Sequence, residues 1–282
     1  MTNSRRADQA SRLMIDHPGW FTTPDGRAQR AFRSGDTRWV LTSHLTGATF
    51  APTVEIIHQG STEVDVNSLV SCFDPTLLPT PFRDTPTIRD YGRLHRVRST
   101  DLWESLALQL LRVRVRAAQA FQRYQQLSAT MGERFTTPLG TVLALPRPET
   151  IAAAREDDWG ELAALPWIGP LQSGAEAFLK RQDAWPHVPL GVLHDVLQAL
   201  PYIAKQSATA IVADLTNDFS HYEFVEFGTP GRWDQFSHEL KGVYSPLYFQ
   251  TVWQEVTPCQ RSILAALSID WVSRQSTATR HR

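Results

Sequence analysis

Two stretches of closely similar design could hold an anion through their backbone. They are "LPYIAKQSATAIVAD", residues 200–214, and "LPWIGPLQSGAEAFL", residues 165–179. Each reads Leu-Pro, an aromatic, Ile and a small residue, then a helix-forming run. A tight turn feeding a helix presents orphan N–H groups at the positive end of the helix dipole, which suits phosphate. The second chemical feature is charge. Ten arginines between Arg83 and Arg134 face five acids, a local +5 in a chain of formal net charge −1. Such a patch can bind phosphate or be a solvated helix face. Cys72 and Cys259 stand alone without a CxxC, which argues against a cysteine-ligated cluster or a four-cysteine zinc site. His187 and His194 have no third ligand at helical spacing, so no metal is expected. No GxGxxG, Walker or GxSxG pattern occurs, which removes the usual support for nucleotide-cofactor and α/β-hydrolase chemistry.

The elements that must position these groups fall into two kinds. "TRWVLTSHL" and "APTVEIIHQG" carry β-branched and aromatic residues bounded by Gly and Pro and are expected to be strands. "DVNSLVSCF" suits a short helix capped by Asp65 or Asn67. "DPTLLPTPFRDTP" has four prolines in thirteen residues and reads as a stiff, non-helical connector. Beyond it, Ser99, Thr100 or Asp101 can cap a long helix, with Glu104 completing a capping-box-like start. Trp103, Leu106, Ala107, Leu110, Ala117 and Phe121 would form its buried stripe, and Arg112, Arg116 and Arg123 another face. "TPLGTVLAL" and the later runs suit short helices. The first dozen residues and the tail from Ser273 are expected to fray.

With 282 residues, 42% hydrophobic and 20% charged, the chain can bury a full core. No signal pattern or long apolar stretch is visible, so a cytoplasmic protein away from membranes is expected. The organisation expected is a mainly α chain. A small α+β N-terminal domain spans 1–73, a Pro-rich connector 74–95, a helical domain 96–272 and a flexible tail 273–282.

"LPYIAKQSA" follows, position by position, a helix–hairpin–helix turn that reads Leu-Pro-Gly-Ile-Gly, two variable residues, then Thr-Ala. Leu200, Pro201, Ile203, Ser207 and Ala208 occupy matching places, while Tyr202 and Ala204 stand where glycine is usual. Here the sequence resembles the helix–hairpin–helix DNA glycosylase superfamily, in particular the 3-methyladenine DNA glycosylase II type. "FDPTLLP" resembles that family's link into its helical region, and "DLWESLALQLLRVRVRAAQAFQRY" resembles its first long core helix.

The resemblance implies a catalytic carboxylate about two dozen residues beyond the first hairpin glycine. Counting from Tyr202 reaches Glu226 in "HYEFVEFGTPGRW", Glu in place of the usual Asp, with Glu223 as fallback. The same step from Trp167 reaches Gly191, so the second copy is expected to face DNA and the first to build the core. Pro201, Tyr202, Ile203, Ala204, Lys205, Gln206, Ser207, Arg112 and Arg116 would then contact DNA. Trp103, Tyr222 and Trp233 would line a pocket for a flipped base. Lyase members place lysine just before Thr-Ala, where Gln206 stands here, so a monofunctional enzyme is implied. The implied activity is excision of damaged, alkylated purines in base excision repair, on double-stranded DNA, by a monomer without cofactor. The alternatives are a catalytically degenerate DNA-binding or interaction module on the same scaffold, and a glycosidase acting on a nucleoside.

Overall fold

The structure, a computed structural model, describes residues 11–47, 50–60, 63–84, 86–89, 91–113, 115, 117–221 and 255–278. Its N-terminal part is two small sheets. Strands β1 (Ser11–Leu13), β2 (Phe21–Thr22), β3 (Arg27–Ser34), β4 (Thr37–His44), β5 (Thr46–Gly47), β6 (Thr53–His58), β7 (Val70–Phe73) and β8 (Arg93–Val97) assemble as β5-β1-β8-β7 and β2-β3-β4-β6. Gly35, at φ 58, makes the two-residue β3–β4 turn that few other residues could make. The alternation of β3 and β4 sends Phe32, Trp39 and Leu41 inward, where they pack with Leu13, Trp20, Leu69 and Val97.

Both strands expected between residues 37 and 60 form. "DVNSLVSCF" corrects the expected helix: Asp65 caps only a 3-10 turn over Val66–Leu69 before β7 begins. The β-branched Val70 and its pairing with Val97 favour extension there. The connector also departs from the stiff, non-helical reading. It holds a 3-10 turn and two one-turn helices, α1 (Thr80–Arg83) and α2 (Pro86–Arg89), and residues 93–97 enter the sheet as β8, parallel to β1 and antiparallel to β7.

The single helix expected over 99–127 is two, α3 (Leu102–Arg112) and α4 (Ala117–Met131). Asp101 caps α3, its carboxylate accepting from the Trp103 amide at 2.9 Å. The helix stops at Val113, where β-branched residues crowd the preceding turn. Arg123 then donates to the carbonyls of Leu111 (2.9 Å) and Val113 (3.4 Å), satisfying the end of α3. "TPLGTVLAL" is likewise not a helix. Strands β9 (Glu133–Thr137) and β10 (Gly140–Ala144) form a hairpin whose Phe135 and Val142 cover Ala31 and Val40.

Helices α5 (Pro148–Ala153), α6 (Glu156–Trp159), α7 (Ile168–Leu179), α8 (Leu190–Gln198) and α9 (Lys205–Thr216) complete the main helical layer around α3. The last described helix, α10 (Pro258–Ala278), returns to the first strands. Its Ile263, Leu264 and Leu267 join Met14, Phe73, Phe82 and Leu94 in one core. The tail expected to fray from Ser273 is helical to Ala278, and Arg274 bonds the Leu13 carbonyl (3.2 Å) and Asp270 (2.6 Å). Among the described residues no helix is long and apolar enough to cross a membrane.

Candidate functional site: a hairpin and a carboxylate at opposite ends of one helix

The two look-alike turns are built differently. In the first, Trp167 is right-handed helical (φ −91, ψ −8) and 5% exposed, part of the helical core. In the second, Leu200 and Ile203 are buried and pin the turn from beneath, while Tyr202 stands 55% exposed with φ 64. That is the left-handed conformation in which glycine is at home and a bulky residue is an outlier. Tyr202 therefore holds a backbone geometry that glycine would adopt without strain. Pro201, Ala204, Lys205 and Gln206 are exposed around it, and Ser207 is half-buried. Ala204 at the N-cap of α9 supplies no side-chain acceptor, so no capping side chain covers the amides of the first turn. Across the hairpin, His194 of α8 bonds Thr209 of α9 at 3.2 Å and fixes the two helices together.

At the other end, α9 closes on Asn217, left-handed at φ 59. Asp218 follows, exposed between two buried neighbours, Asn217 and Phe219. One carboxylate oxygen, Oδ1, accepts from the Ser220 amide (2.8 Å) and from the Ser262 hydroxyl (3.0 Å). The other, Oδ2, faces His221 at 3.7 Å. Partial burial pushes the Asp218 pKa up, but the Ser220 and Ser262 hydrogen bonds and the His221 charge outweigh it and hold the carboxyl below its ordinary value. The group is an ordered, ionised carboxylate with an open side. Sequence reasoning passed it over by counting a fixed step from the hairpin. An "ND" pair closing a helical run, a left-handed cap followed by a turn-forming acid, was the available signal.

The other expected site residues divide into three groups. Glu226, Glu223, Tyr222, Trp233 and Arg116 lie outside the described residues. Trp103 is 2% exposed, its indole N–H donating to the Pro146 carbonyl at 2.9 Å. It walls a cleft of about 240 Å³ shared with Arg33, Asp101, Arg147 and Phe178, and none of residues 201–207 lines that cleft. Arg112 is half-buried and directed at the Asp16 carbonyl, 3.5 Å away. Part of the arginine-rich stretch is less of a surface than its sequence suggests, although Arg89, Arg93 and Arg134 are exposed. Arg96 is 3% exposed, and Arg98 and Arg123 turn inward to backbone carbonyls.

The chain matches no protein-family model and no curated protein. It is similar to solved structures of DNA glycosylases. One is MBOgg1 in complex with a low-affinity DNA ligand, with a TM-score of 0.60 and 14% identity over 92% of this chain and 88% of that one. The Clostridium acetobutylicum 8-oxoguanine glycosylase/lyase bound to double-stranded DNA gives 0.61 and 11% over 93% and 90%. The 3-methyladenine DNA-glycosylase of Archaeoglobus fulgidus gives 0.62 and 12% over 91% and 90%. At such identities likeness speaks for architecture alone, and this chain shares its overall fold with these three solved structures.

Proposed function

We propose that this protein is a DNA N-glycosylase that removes damaged purines, with the α8–α9 turn holding the DNA backbone and Asp218 serving as the carboxylate. The observation that supports this most is that one helix carries both parts. Its N-terminus presents the turn, and an ordered, ionised acid follows its C-terminus. Twelve residues at 1.5 Å each separate them by about 18 Å. A phosphate gripped at the turn would leave a nucleotide a few positions along the strand beside Asp218. Departure of the base builds positive charge on the deoxyribose, and a fixed anion stabilises that charge or accepts a proton from attacking water. Water then supplies the hydroxyl at C1′ and the base leaves with the bonding pair. Purines alkylated on a ring nitrogen are already cationic and leave without an acid, which suits a site offering one carboxylate. With Gln206 in the lysine position, the product is an abasic site in an intact strand.

Incubation with duplex containing 7-methylguanine or 3-methyladenine tests this. Release of base that Asp218→Asn abolishes supports the assignment. Release abolished only by Glu226→Gln moves the acid to that residue. A second reading, a DNA-binding or interaction module without catalysis, keeps the scaffold but not the chemistry, and Tyr202, whose exposed ring stands where the backbone of DNA would approach the turn, favours its interaction-module form. No release from either lesion, with salt-dependent duplex binding intact, favours a module that binds DNA, and loss of both release and duplex binding favours one that binds another partner.

A further inference from the structure

We propose that Arg96, a buried arginine of the N-terminal sheet, is the positioning residue that aims Asp218. Arg96 lies on β8, far from Asp218 in sequence, yet it holds the residues on both sides of that acid. Its Nη1 donates to the Asn217 side-chain oxygen at 2.7 Å, and the Asn217 amide nitrogen returns a bond to the Arg96 carbonyl at 3.0 Å. Its guanidinium carbon lies 5.1 Å from the centre of the Phe219 ring. Asn217 and Phe219 are thereby fixed, and the exposed residue between them has little freedom left.

The same guanidinium bonds Asp214, one turn back on α9, and Asp16, at 2.9 Å, beside β1. Two neighbouring contacts tie the end of α9 to the same stretch. The Ser99 amide donates to the Asp214 carbonyl at 2.8 Å and Arg98 to the Leu215 carbonyl at 3.0 Å. Phe219 completes the frame from its other side. Its amide donates to the Ser262 hydroxyl at 2.9 Å, the same hydroxyl that bonds Asp218.

Stability alone is a poor reason for this construction. A buried arginine between acids is commonly matched or bettered by apolar packing of the same volume. What apolar packing lacks is direction. A planar guanidinium can bond in its plane and stack on a ring with its face, so one side chain sets two neighbours at once. The role of the N-terminal sheet follows: it is the mount for the end of α9 from which the carboxylate projects.

The clamp rests on Asp218 being the working acid, and two separate measurements test it. Arg96→Lys keeps the charge but loses the fork and the flat face. Phe219→Leu loses only the ring, and stands in should the lysine variant not fold. In either variant, hydrogen exchange at the amides of positions 219 and 220 is expected to accelerate about tenfold while the amides within α9 keep their protection. Base release at saturating duplex should fall about 10- to 100-fold at unchanged duplex affinity, since a small misplacement of a reacting group is costly. Unchanged exchange at positions 219 and 220 would overturn the clamp. So would faster exchange with an unchanged release rate, or a release rate that falls only in step with affinity. If the wild-type protein releases no base, the glycosylase assignment fails on its own, and exchange alone decides whether Arg96 holds Asp218.

Discussion

Replacing Tyr202 by glycine should both stabilise the protein and strengthen its hold on DNA. Tyr202 sits at φ 64, where an L side chain crowds the following carbonyl at a cost of roughly 1–2 kcal/mol. Glycine removes that cost but adds backbone freedom to the unfolded chain, which returns roughly 0.4–1 kcal/mol. The ring is 55% exposed, so its loss forfeits little packing. The net gain is about 0.5–1 kcal/mol, a rise of roughly 1–3 °C in Tm for a chain of this size. The variant also lets a phosphate approach the turn, so duplex affinity should increase several-fold at low salt and lose that advantage as salt rises. Scanning calorimetry and fluorescence anisotropy with a short duplex at two salt concentrations measure both effects. Tyr202→Ala is the control, since alanine keeps a Cβ at the same φ and removes only the ring. If glycine and alanine give the same Tm, the strain account is wrong. If neither alters affinity, the turn does not face DNA.

Further outcomes follow from contacts elsewhere. His17 is buried, and burial together with Arg30, Arg112 and Arg96 holds its pKa well below 6.5. The unfolded chain therefore binds a proton below pH 6.5 that the folded chain refuses, so stability falls as pH drops through that value and is fully present above it. Urea unfolding should show His17→Asn losing about 1 kcal/mol less than wild type between pH 6.5 and 5.5, and parallel losses would refute the assignment. Gly174 of α7 lies where an added Cβ would come 2.4 Å from Leu110 Cδ1 in the core. Gly174→Ala should lose roughly 1–3 kcal/mol to overpacking against the up to about 1 kcal/mol of helix propensity it gains, a net loss, whereas Gly169→Ala, with open space around it, should keep that gain; equal Tm shifts in thermal melts would contradict the packing. Asn217→Gly eases a left-handed residue but strips Arg96 of its Nη1 partner, so melts should show a net loss of about 1–2 kcal/mol.

The architecture was readable because its carriers are local. The β-branched and aromatic residues of β4 and β6, the Asp101 cap and the Leu-Pro turns each announce themselves within a few residues. The errors arose where distant partners decide. Residues 117–131 continue a helical pattern after 113, yet Arg123 turning back to Leu111 makes the break tolerable, and no local rule shows that. "TPLGTVLAL" has helix-compatible residues, but its β-branched Thr141 and Val142 find a sheet to cover at Ala31 and Val40. The local arginine excess left both a phosphate patch and a solvated face open in sequence because the sequence does not reveal that Asp16 and Asp214 wait for Arg96. The turn was legible in the candidate site. Asp218 was not, because its order comes from Ser262, 44 residues on.

The return of α10 to the first strands bears on how the chain is made. Met14 and Phe82 share a core with Ile263 and Leu267, and Arg274 reaches back to the Leu13 carbonyl. During synthesis at roughly 5–20 residues per second, those early apolar groups wait on the order of ten seconds to a minute for their partners. The nascent protein thus carries an open seam until α10 clears the ribosome. Truncation ahead of Pro258 should leave that seam permanently unclosed and prone to aggregation, however intact the hairpin remains.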